Sequence, residues 1–312
     1  MRMITTSFSL TLALTQAAGV ALAQQALVSP PAPTQASGST QPAPAPNAPA
    51  TPTRTAGEIA TAPERLDERD WSVRITPRAW FVAPAGDLEL PGVGGQTVTL
   101  DALNLDSTRI QPAGQVDLQS ERWMIALGGS TSSSETVRVA RAAFQLGSTS
   151  VAAGQAFNAS FDYTTVQALV GYRLWEYNLD AQKTEDAGDT RLRFFVLGGA
   201  RLHDVEASIE RPGVAGTRSE SSLTTVSLIA STRLQLMFAR DFSIEVDLSA
   251  GGLHDSSTFD INACISYQPV DWFAAQFGYR HLEVSAQSGS GSSRFQWDGS
   301  VAGIYAGVIF KF

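Results

Sequence analysis

Apolar and polar residues alternate with a period of two along most of the chain beyond residue 70. From Thr224 to Phe238 every second residue is apolar or threonine, whereas the residues between them include Ser227, Arg233 and Gln235. The same alternation recurs in four later runs: 242–250, 259–267, 273–279 and 302–312. Because successive side chains of a strand point to opposite faces, each run predicts a β-strand with one apolar and one polar face.

Two architectures fit this alternation, a soluble barrel with an apolar interior and a membrane barrel with an apolar exterior. The apolar positions carry no charge, and the opposite face is crowded with the small residues that a narrow lumen needs. Aromatic residues recur at strand ends, as at a lipid interface. They are Trp71, Trp123, Trp175, Trp272, Tyr172, Tyr177, Tyr267 and Phe242. These features favour the membrane barrel.

The C-terminal run supports this interpretation, because it places Ile304, Ala306, Val308, Phe310 and Phe312 at alternate positions. The pattern resembles the last strand of Gram-negative outer-membrane β-barrel proteins, in particular the small opacity-like and OmpW-like barrels. The resemblance implies a closed, antiparallel, up-and-down transmembrane barrel over residues 70–312, located in the cell outer membrane and in contact with its lipid. It also implies that Phe310 and Phe312 form the signal read by the barrel-assembly machinery, although the family often has tyrosine at the position of Phe310.

We count ten strands in this region, and eight is the alternative, because the hairpin 110–134 is the least regular part. The predicted bounds are 71–83, 110–119, 122–134, 155–175, 190–206, 222–238, 242–254, 258–268, 272–284 and 295–312. An even number returns both ends of the barrel to the periplasm. Short turns at Ser120–Glu121, Arg240–Asp241 and Pro269–Asp271 are therefore expected on that side, and the long links outside.

The N-terminal part of the chain predicts export. Residues 1–23 have the pattern of a signal peptide, with Arg2 near the start, an apolar stretch, and Ala21-Leu22-Ala23 before the expected cleavage site. Residues 24–69 are rich in Pro and Ala and predict a disordered periplasmic tether, because this composition buries too little apolar surface to fold. Peptidoglycan is the candidate partner of the tether.

Closure of the barrel predicts that the charged residues meet inside it. A turn near residue 240 places Arg233 opposite Asp247 and Gln235 opposite Glu245, and a turn near 270 places Arg280 opposite Asp260. An unpaired arginine would be costly in a low-dielectric interior, so we expect these groups to be paired. The predicted lumen network consists of Arg233, Asp247, Arg280, Asp260, Glu245, Arg74, Arg78 and Arg201.

Composition and strand number limit the function. A net charge of −8 leaves no basic surface for nucleic acid. A single cysteine, Cys264, excludes a disulfide within the chain and a cysteine metal site, and we expect no cofactor and no metal. A lumen of about ten strands is narrow, which excludes a general diffusion porin. We therefore expect a non-enzymatic barrel with a structural or surface-interaction role, and a narrow small-solute channel is the alternative.

A third alternative is a hydrolase of the outer leaflet that uses His254 or His203. Each of these histidines is followed by an aspartate, and Ser256 lies close to His254, which resembles the composition of a nucleophilic site. Neighbours along a strand, however, point to opposite faces. We therefore expect His203, His254 and His281 to be rim or loop residues without a catalytic role.

Overall fold

The computed structural model describes residues 71–93, 96–179, 190–238 and 241–312. The predicted signal peptide and tether, the turn residue Arg240 and the link 180–189 lie outside these ranges. The described chain forms an all-β barrel of ten antiparallel strands, labelled β1 to β10 in chain order, which confirms the predicted fold class and the count of ten rather than eight. No helix in the described ranges is long and apolar enough to cross a membrane.

The strands pair in sequence order, and β10 pairs with β1 to close the barrel. Their bounds are β1 Ser72–Glu89, β2 Arg109–Gln119, β3 Trp123–Val139, β4 Ala156–Asn178, β5 Arg191–Glu210, β6 Ser219–Phe238, β7 Phe242–Leu253, β8 Ser256–Val270, β9 Phe273–Ser288 and β10 Phe295–Lys311. At the closing seam, the N–H and C=O groups of Val73 and Phe312 hydrogen-bond each other at 3.0 and 2.9 Å. The last residue of the chain is therefore part of the wall.

The two ends of the barrel differ in their connections. The turn end carries the first residue of β1, the last residue of β10 and the short turns 120–122 and 271–272. The loop end carries the connections 90–108, 140–155, 211–218 and 289–294. Three further short strands lie in the first two of these loops: Val98–Thr99, which pairs with β1, and the hairpin Phe144–Leu146 with Thr149–Val151.

Several strands extend further toward the loop end than the sequence predicts. β1 ends at Glu89 rather than at residue 83, β5 at Glu210 rather than 206, and β9 at Ser288 rather than 284. The apolar runs, on which the predicted bounds rest, end earlier than the strands do. The wall therefore continues beyond the apolar band.

In the half of the barrel nearer the turn end, apolar side chains face outward. On β6 the outward residues Val226, Leu228 and Leu234 are 42%, 57% and 37% exposed, whereas the inward Arg233 is 3% exposed. The outward apolar band of β6 runs from Val226 to Leu236, which matches the roughly 9 to 11 residues that a tilted strand needs to cross a bilayer. This half has the surface of a membrane-spanning barrel.

Aromatic side chains border the band at the turn end. Trp123 packs edge-to-face on Tyr172 with ring centroids 5.1 Å apart, and Phe242 lies 4.9 Å from Tyr267. Trp71, Trp175 and Trp272 are also about half exposed at this end. These rings have the position and exposure of an interfacial girdle.

In the half nearer the loop end, the polarity is reversed. The outward band ends at the rung of Val166, Leu202 and Val226, and the next outward rung is Thr164, Asp204 and Thr224. Inward positions change at the same level, from polar residues to a hydrophobic core. This core includes Trp80, Val82, Phe157, Phe161, Val205, Ile209, Leu223, Leu282, Val284, Phe295 and Trp297. The loop-end half is thus built like a soluble barrel.

Two loops cover the loop end of this half. The connection after β1 contributes the buried side chains of Leu90, Leu100, Leu103 and Leu105, and the second loop contributes Leu146 and Val151. Gly92 and Gln96 fix the first loop through backbone hydrogen bonds to Ser292 and Gln145. The interior at the loop end is therefore a packed core rather than an open mouth.

Candidate functional site

The lumen of the membrane-type half contains a network of ion pairs. Nearest the turn end, Arg74 lies 2.6 Å from Asp117 and 3.1 Å from Glu245. Arg233 binds Asp247 at 2.6 Å and reaches Asp117 at 3.4 Å. The two arginines therefore share Asp117, and this cluster joins β1, β2, β6 and β7 across the lumen.

A second cluster lies one layer closer to the loop end. Asp260 accepts hydrogen bonds from Arg201 at 2.7 Å and from Arg280 at 2.8 Å. Arg201 is 1% exposed and also donates to the side chain of Gln167 at 2.6 Å. Asn262 donates to Asp247 at 3.2 Å, which connects this cluster to the first.

The structure places all eight residues of the predicted network in the lumen, but their partners differ in part. Arg233 and Asp247 are directly opposite in the ladder between β6 and β7. Arg280 is opposite Asn262, not Asp260, so the predicted register of β8 and β9 is wrong by two residues. The long guanidinium group still reaches Asp260 diagonally. Arg78 donates to Gln276 at 3.0 Å and stacks over the Tyr305 ring at 4.9 Å.

Asp117 is the member that sequence reasoning missed. It is buried at the centre of the first cluster, where it accepts hydrogen bonds from Arg74, from Gln115 at 2.7 Å and from Arg233. An acidic residue on the polar face of a predicted strand next to β1 was the available signal. Its importance depends on three strands that meet only in the closed barrel.

Aromatic rings at the border of the hydrophobic core face the ionic network. Tyr163 packs against Trp297 with ring centroids 5.1 Å apart, and its hydroxyl group hydrogen-bonds Nδ1 of His203 at 2.8 Å. His203 is fully buried, so its predicted position on the rim is wrong. The reason is that β5 continues past His203 to Glu210, which leaves this residue in the middle of the wall.

None of the three histidines has the surroundings of a hydrolase base within the described residues. His203 and Asp204 face opposite sides, and Asp204 accepts a hydrogen bond from Thr224 at 2.6 Å. His254 is an exposed turn residue with φ 52°, and the nearby Ser256 hydroxyl bonds Ser227 and a backbone carbonyl instead. His281 faces outward and pairs with Glu283 at 3.0 Å.

The free volume of the lumen is small. The cavity between Arg78, Arg201, Arg233 and Arg280 measures about 40 Å³, which holds about three water molecules. A vestibule of about 360 Å³ opens at the turn end, with Arg74 and Glu245 at its inner end. Ion pairs and aromatic rings fill the space between this vestibule and the hydrophobic core. Within the described residues, the interior therefore offers no continuous path for a solute.

A larger depression, the loop-end groove, lies at the opposite end of the barrel. It measures about 720 Å³, within the usual range of roughly 300 to 1,000 Å³ for ligand sites. One wall is the loop Asp101–Asn104, and the other is the end of β3 at Val137–Val139. Phe144 and Phe157, 5.4 Å apart and edge-to-face, line its base, and Arg141 lies at its margin.

Comparison with known proteins gives structural similarity only. No family model matches the sequence, and no curated protein matches it. Among solved structures, the chain is similar to Neisserial surface protein A, with 12% identity, coverage of 78% of this chain and 97% of that chain, and a TM-score of 0.30. It is similar to Ail, the attachment invasion locus protein of Yersinia pestis, with 14% identity, the same coverage and a TM-score of 0.29. It is also similar to the outer-membrane expressed OmpT of Vibrio cholerae, with 7% identity, coverage of 78% of this chain and 97% of that chain, and a TM-score of 0.25. The barrel assignment itself rests on the strand pairing described above.

Proposed function

We propose that this protein is a closed outer-membrane barrel that carries a rigid protein surface outside the cell, with a structural or surface-interaction role and no enzymatic activity. The observation that carries the proposal is the reversal of polarity along the wall. A lipid-facing band at the turn end is followed by a polar exterior over a packed core at the loop end. The second half is built to stand in water beyond the bilayer.

The interior supports a non-conducting role. Buried charges are tolerated in an apolar environment only when they are paired and hydrogen-bonded, and here Asp117, Asp260 and Glu245 each contact arginine. The ion pairs tie opposite walls of the lumen together. On the loop-end side of these ion pairs, residues of the hydrophobic core would have to unpack before a solute could pass. The narrow channel is therefore the weaker alternative.

The same pattern supports the proposed location in the outer membrane. Lipid supplies no hydrogen bonds to the backbone, so a sheet that crosses it must close, as this one does. In the proposed orientation the turn end faces the periplasm, where the tether would continue toward peptidoglycan. Outer-membrane lipid contacts the apolar band, and Phe310 and Phe312 present the terminal strand to the barrel-assembly machinery.

Location and orientation can be tested together in a Gram-negative host. A short epitope inserted at Gly213, in the loop 211–218, should bind antibody on intact cells, whereas the same epitope inserted in the turn 120–122 should be reached only after permeabilisation. The purified protein should migrate faster on a gel when unheated than when boiled. Protection of the Gly213 epitope in intact cells, with the gel shift preserved, would contradict the proposed surface.

Conductance separates the closed barrel from a channel. We expect no discrete single-channel steps from the full-length protein in planar bilayers. A variant that deletes the loop 90–105, which removes Leu90, Leu100, Leu103 and Leu105 from the core, is the matched comparison. Well-defined steps from the wild type would overturn the non-conducting role. Steps from the deletion variant alone would show that the loop contributes to closure.

A further inference from the structure

The pairing between β2 and β3 is the shortest in the barrel wall. It extends only from Ala113 and Ser130 to Gln119 and Met124. Beyond Ser130, β3 continues to Val139 and pairs with β4 along its whole length. From residue 131 to 139, therefore, no strand of the described chain pairs with the other edge of β3.

Two side chains from β2 cover part of this edge. Arg109 donates to the backbone carbonyl of Glu135 at 2.6 Å, and Gln111 donates to that of Ser133 at 3.0 Å. In an extended strand, alternate residues direct their N–H and C=O groups to the same side. Val137 and Val139 therefore present their backbone groups on the side of Ser133 and Glu135, beyond the reach of the two side chains from β2.

The uncovered part of the edge borders the loop-end groove. Val137 and Val139 are 68% and 60% exposed, and both line the groove. Proteins ordinarily protect a free edge with charged side chains, proline or a covering segment. Here the edge combines two exposed valines with an open depression and an aromatic base. That combination suits an added strand, which gains main-chain hydrogen bonds from the edge and specificity from the adjoining pockets.

The charged residues that line the groove favour an acidic partner. Arg138 and Arg141 are exposed groove residues, and the opposite wall contributes Asp101. The net charge of the groove is therefore positive, although the whole chain has a net charge of −8. An acidic side chain of a bound segment would be attracted to the two arginines.

We propose that the loop-end groove binds an extended, acidic peptide segment of another protein, which adds to β3 as a strand at Val137–Val139. The bound segment places apolar side chains over Phe144 and an acidic side chain beside Arg138 and Arg141. This inference deepens the proposed surface-interaction role and rests on it. It identifies the binding element as a backbone edge rather than a flexible loop.

The test uses the purified full-length protein in lipid nanodiscs and a phage-displayed library of random heptapeptides. Selection on the wild type, with counter-selection on V137P, should enrich acidic sequences with alternating apolar residues. V137P removes an edge N–H, which an edge strand tolerates, and V137T retains it as the matched control. Enriched peptides should bind V137P at least tenfold more weakly than the wild type and V137T. The gel shift on heating shows whether each variant is folded.

Backbone methylation then identifies the binding mode. An enriched peptide is synthesised in two forms, with N-methyl groups on alternate residues of one edge or of the other. Addition to β3 requires that one form loses binding at least tenfold while the other keeps it. Reversal of the groove charges in R138E and R141E should lower the affinity for the acidic peptide by a similar factor. R218E, in a different loop, should leave the affinity unchanged.

Three results would overturn the proposal. They are the absence of any peptide enriched on the wild type over V137P, equal binding of the two methylated forms, and a wild-type dimer in sedimentation that V137P abolishes. The last would identify a second copy of this chain as the occupant. Because selection uses purified protein, these failures are independent of the epitope result on intact cells, which tests the surface location itself.

Discussion

The two halves of the barrel use the same strands to meet opposite solvents. On β9, Arg280 faces the ionic lumen, and the next inward residue, Leu282, belongs to the hydrophobic core. Outward on the same strand, Phe277 and Tyr279 are followed by the paired His281 and Glu283. An alternation with period two therefore identifies the strand, whereas the polarity of each face reports which solvent surrounds that part of it.

The reversal of polarity falls at one level of the wall. On β4, β5 and β6 it falls between the same two neighbouring rungs, on the outside and the inside of the wall alike. A coincidence across separate strands is expected if a bilayer surface lies at that level, because the backbone there passes from an apolar to an aqueous medium. The comparison predicts that a given substitution has different consequences on the two sides of this level.

The largest effect is expected from D260N in the membrane-type half. The substitution leaves Arg201 and Arg280 without the carboxylate they share, and an uncompensated buried charge costs about 3 to 5 kcal/mol. The free energy of unfolding, measured by urea titration of the protein in lipid vesicles, should fall by that amount. D255N, in an exposed turn, is the control and should change it by less than about 0.5 kcal/mol. A change as small for D260N would mean that the lumen is well hydrated.

A somewhat smaller effect is expected from L282A in the loop-end half. Leu282 is fully buried, and truncation of a buried leucine leaves a cavity that costs about 3 kcal/mol. The same titration should show this loss. The loss should be insensitive to ionic strength, because it is a packing effect. Near-neutral behaviour would show that the loop-end core is loosely packed and that the halves are less different than the structure indicates.

The fold was largely predictable because the alternation of apolar and polar residues, which a membrane-spanning strand requires, is visible within each strand. Phe242, Ile244, Val246, Leu248 and Ala250 identify an outward face without reference to any other strand. The outer extensions of the strands were missed for the same reason. In residues 203–210, Val205, Ala207 and Ile209 still alternate with polar residues, but the apolar set has moved to the other face.

Parts of the candidate site depended on information that no single strand contains. Arg233 lies opposite Asp247 as the sequence predicts, whereas the next hairpin turns at residues 271–272 rather than near 270, so the pairing at Arg280 differs by two residues from the predicted one. Asp117 meets Arg74 and Arg233 from strands far apart in the sequence. The open edge of β3 arises because its pairing with β2 ends at Ser130. The residues of β3 continue to alternate beyond that point, so the sequence of β3 does not reveal the edge.

A pair of arginine substitutions on β6 locates the boundary directly. A230R places a charge on the lipid-facing side near the middle of the apolar band Val226–Leu236, where outward arginine costs about 2 to 4 kcal/mol. S222R lies outward beyond the reversal and should change the free energy of unfolding by less than about 0.5 kcal/mol. Both proteins can be titrated in the same vesicles. Equal costs at the two positions would remove the distinction between the halves.

The smallest effect concerns the polar exterior of the loop-end half. Asp162 and Glu206 are directly opposite each other on the outward face of β4 and β5, and like charges in that position destabilise a sheet. E206Q should therefore raise the free energy of unfolding by about 0.2 to 0.5 kcal/mol at low salt. The gain should fade above about 0.1 M salt, where the screening length is about 10 Å. E220Q removes an acid that lies opposite Ser208 and pairs with Arg218 at 2.6 Å, so it should show no gain. Destabilisation by E206Q, with an equal loss when the wild type is treated with EDTA, would contradict simple repulsion, because it would mean that the two carboxylates share a divalent cation.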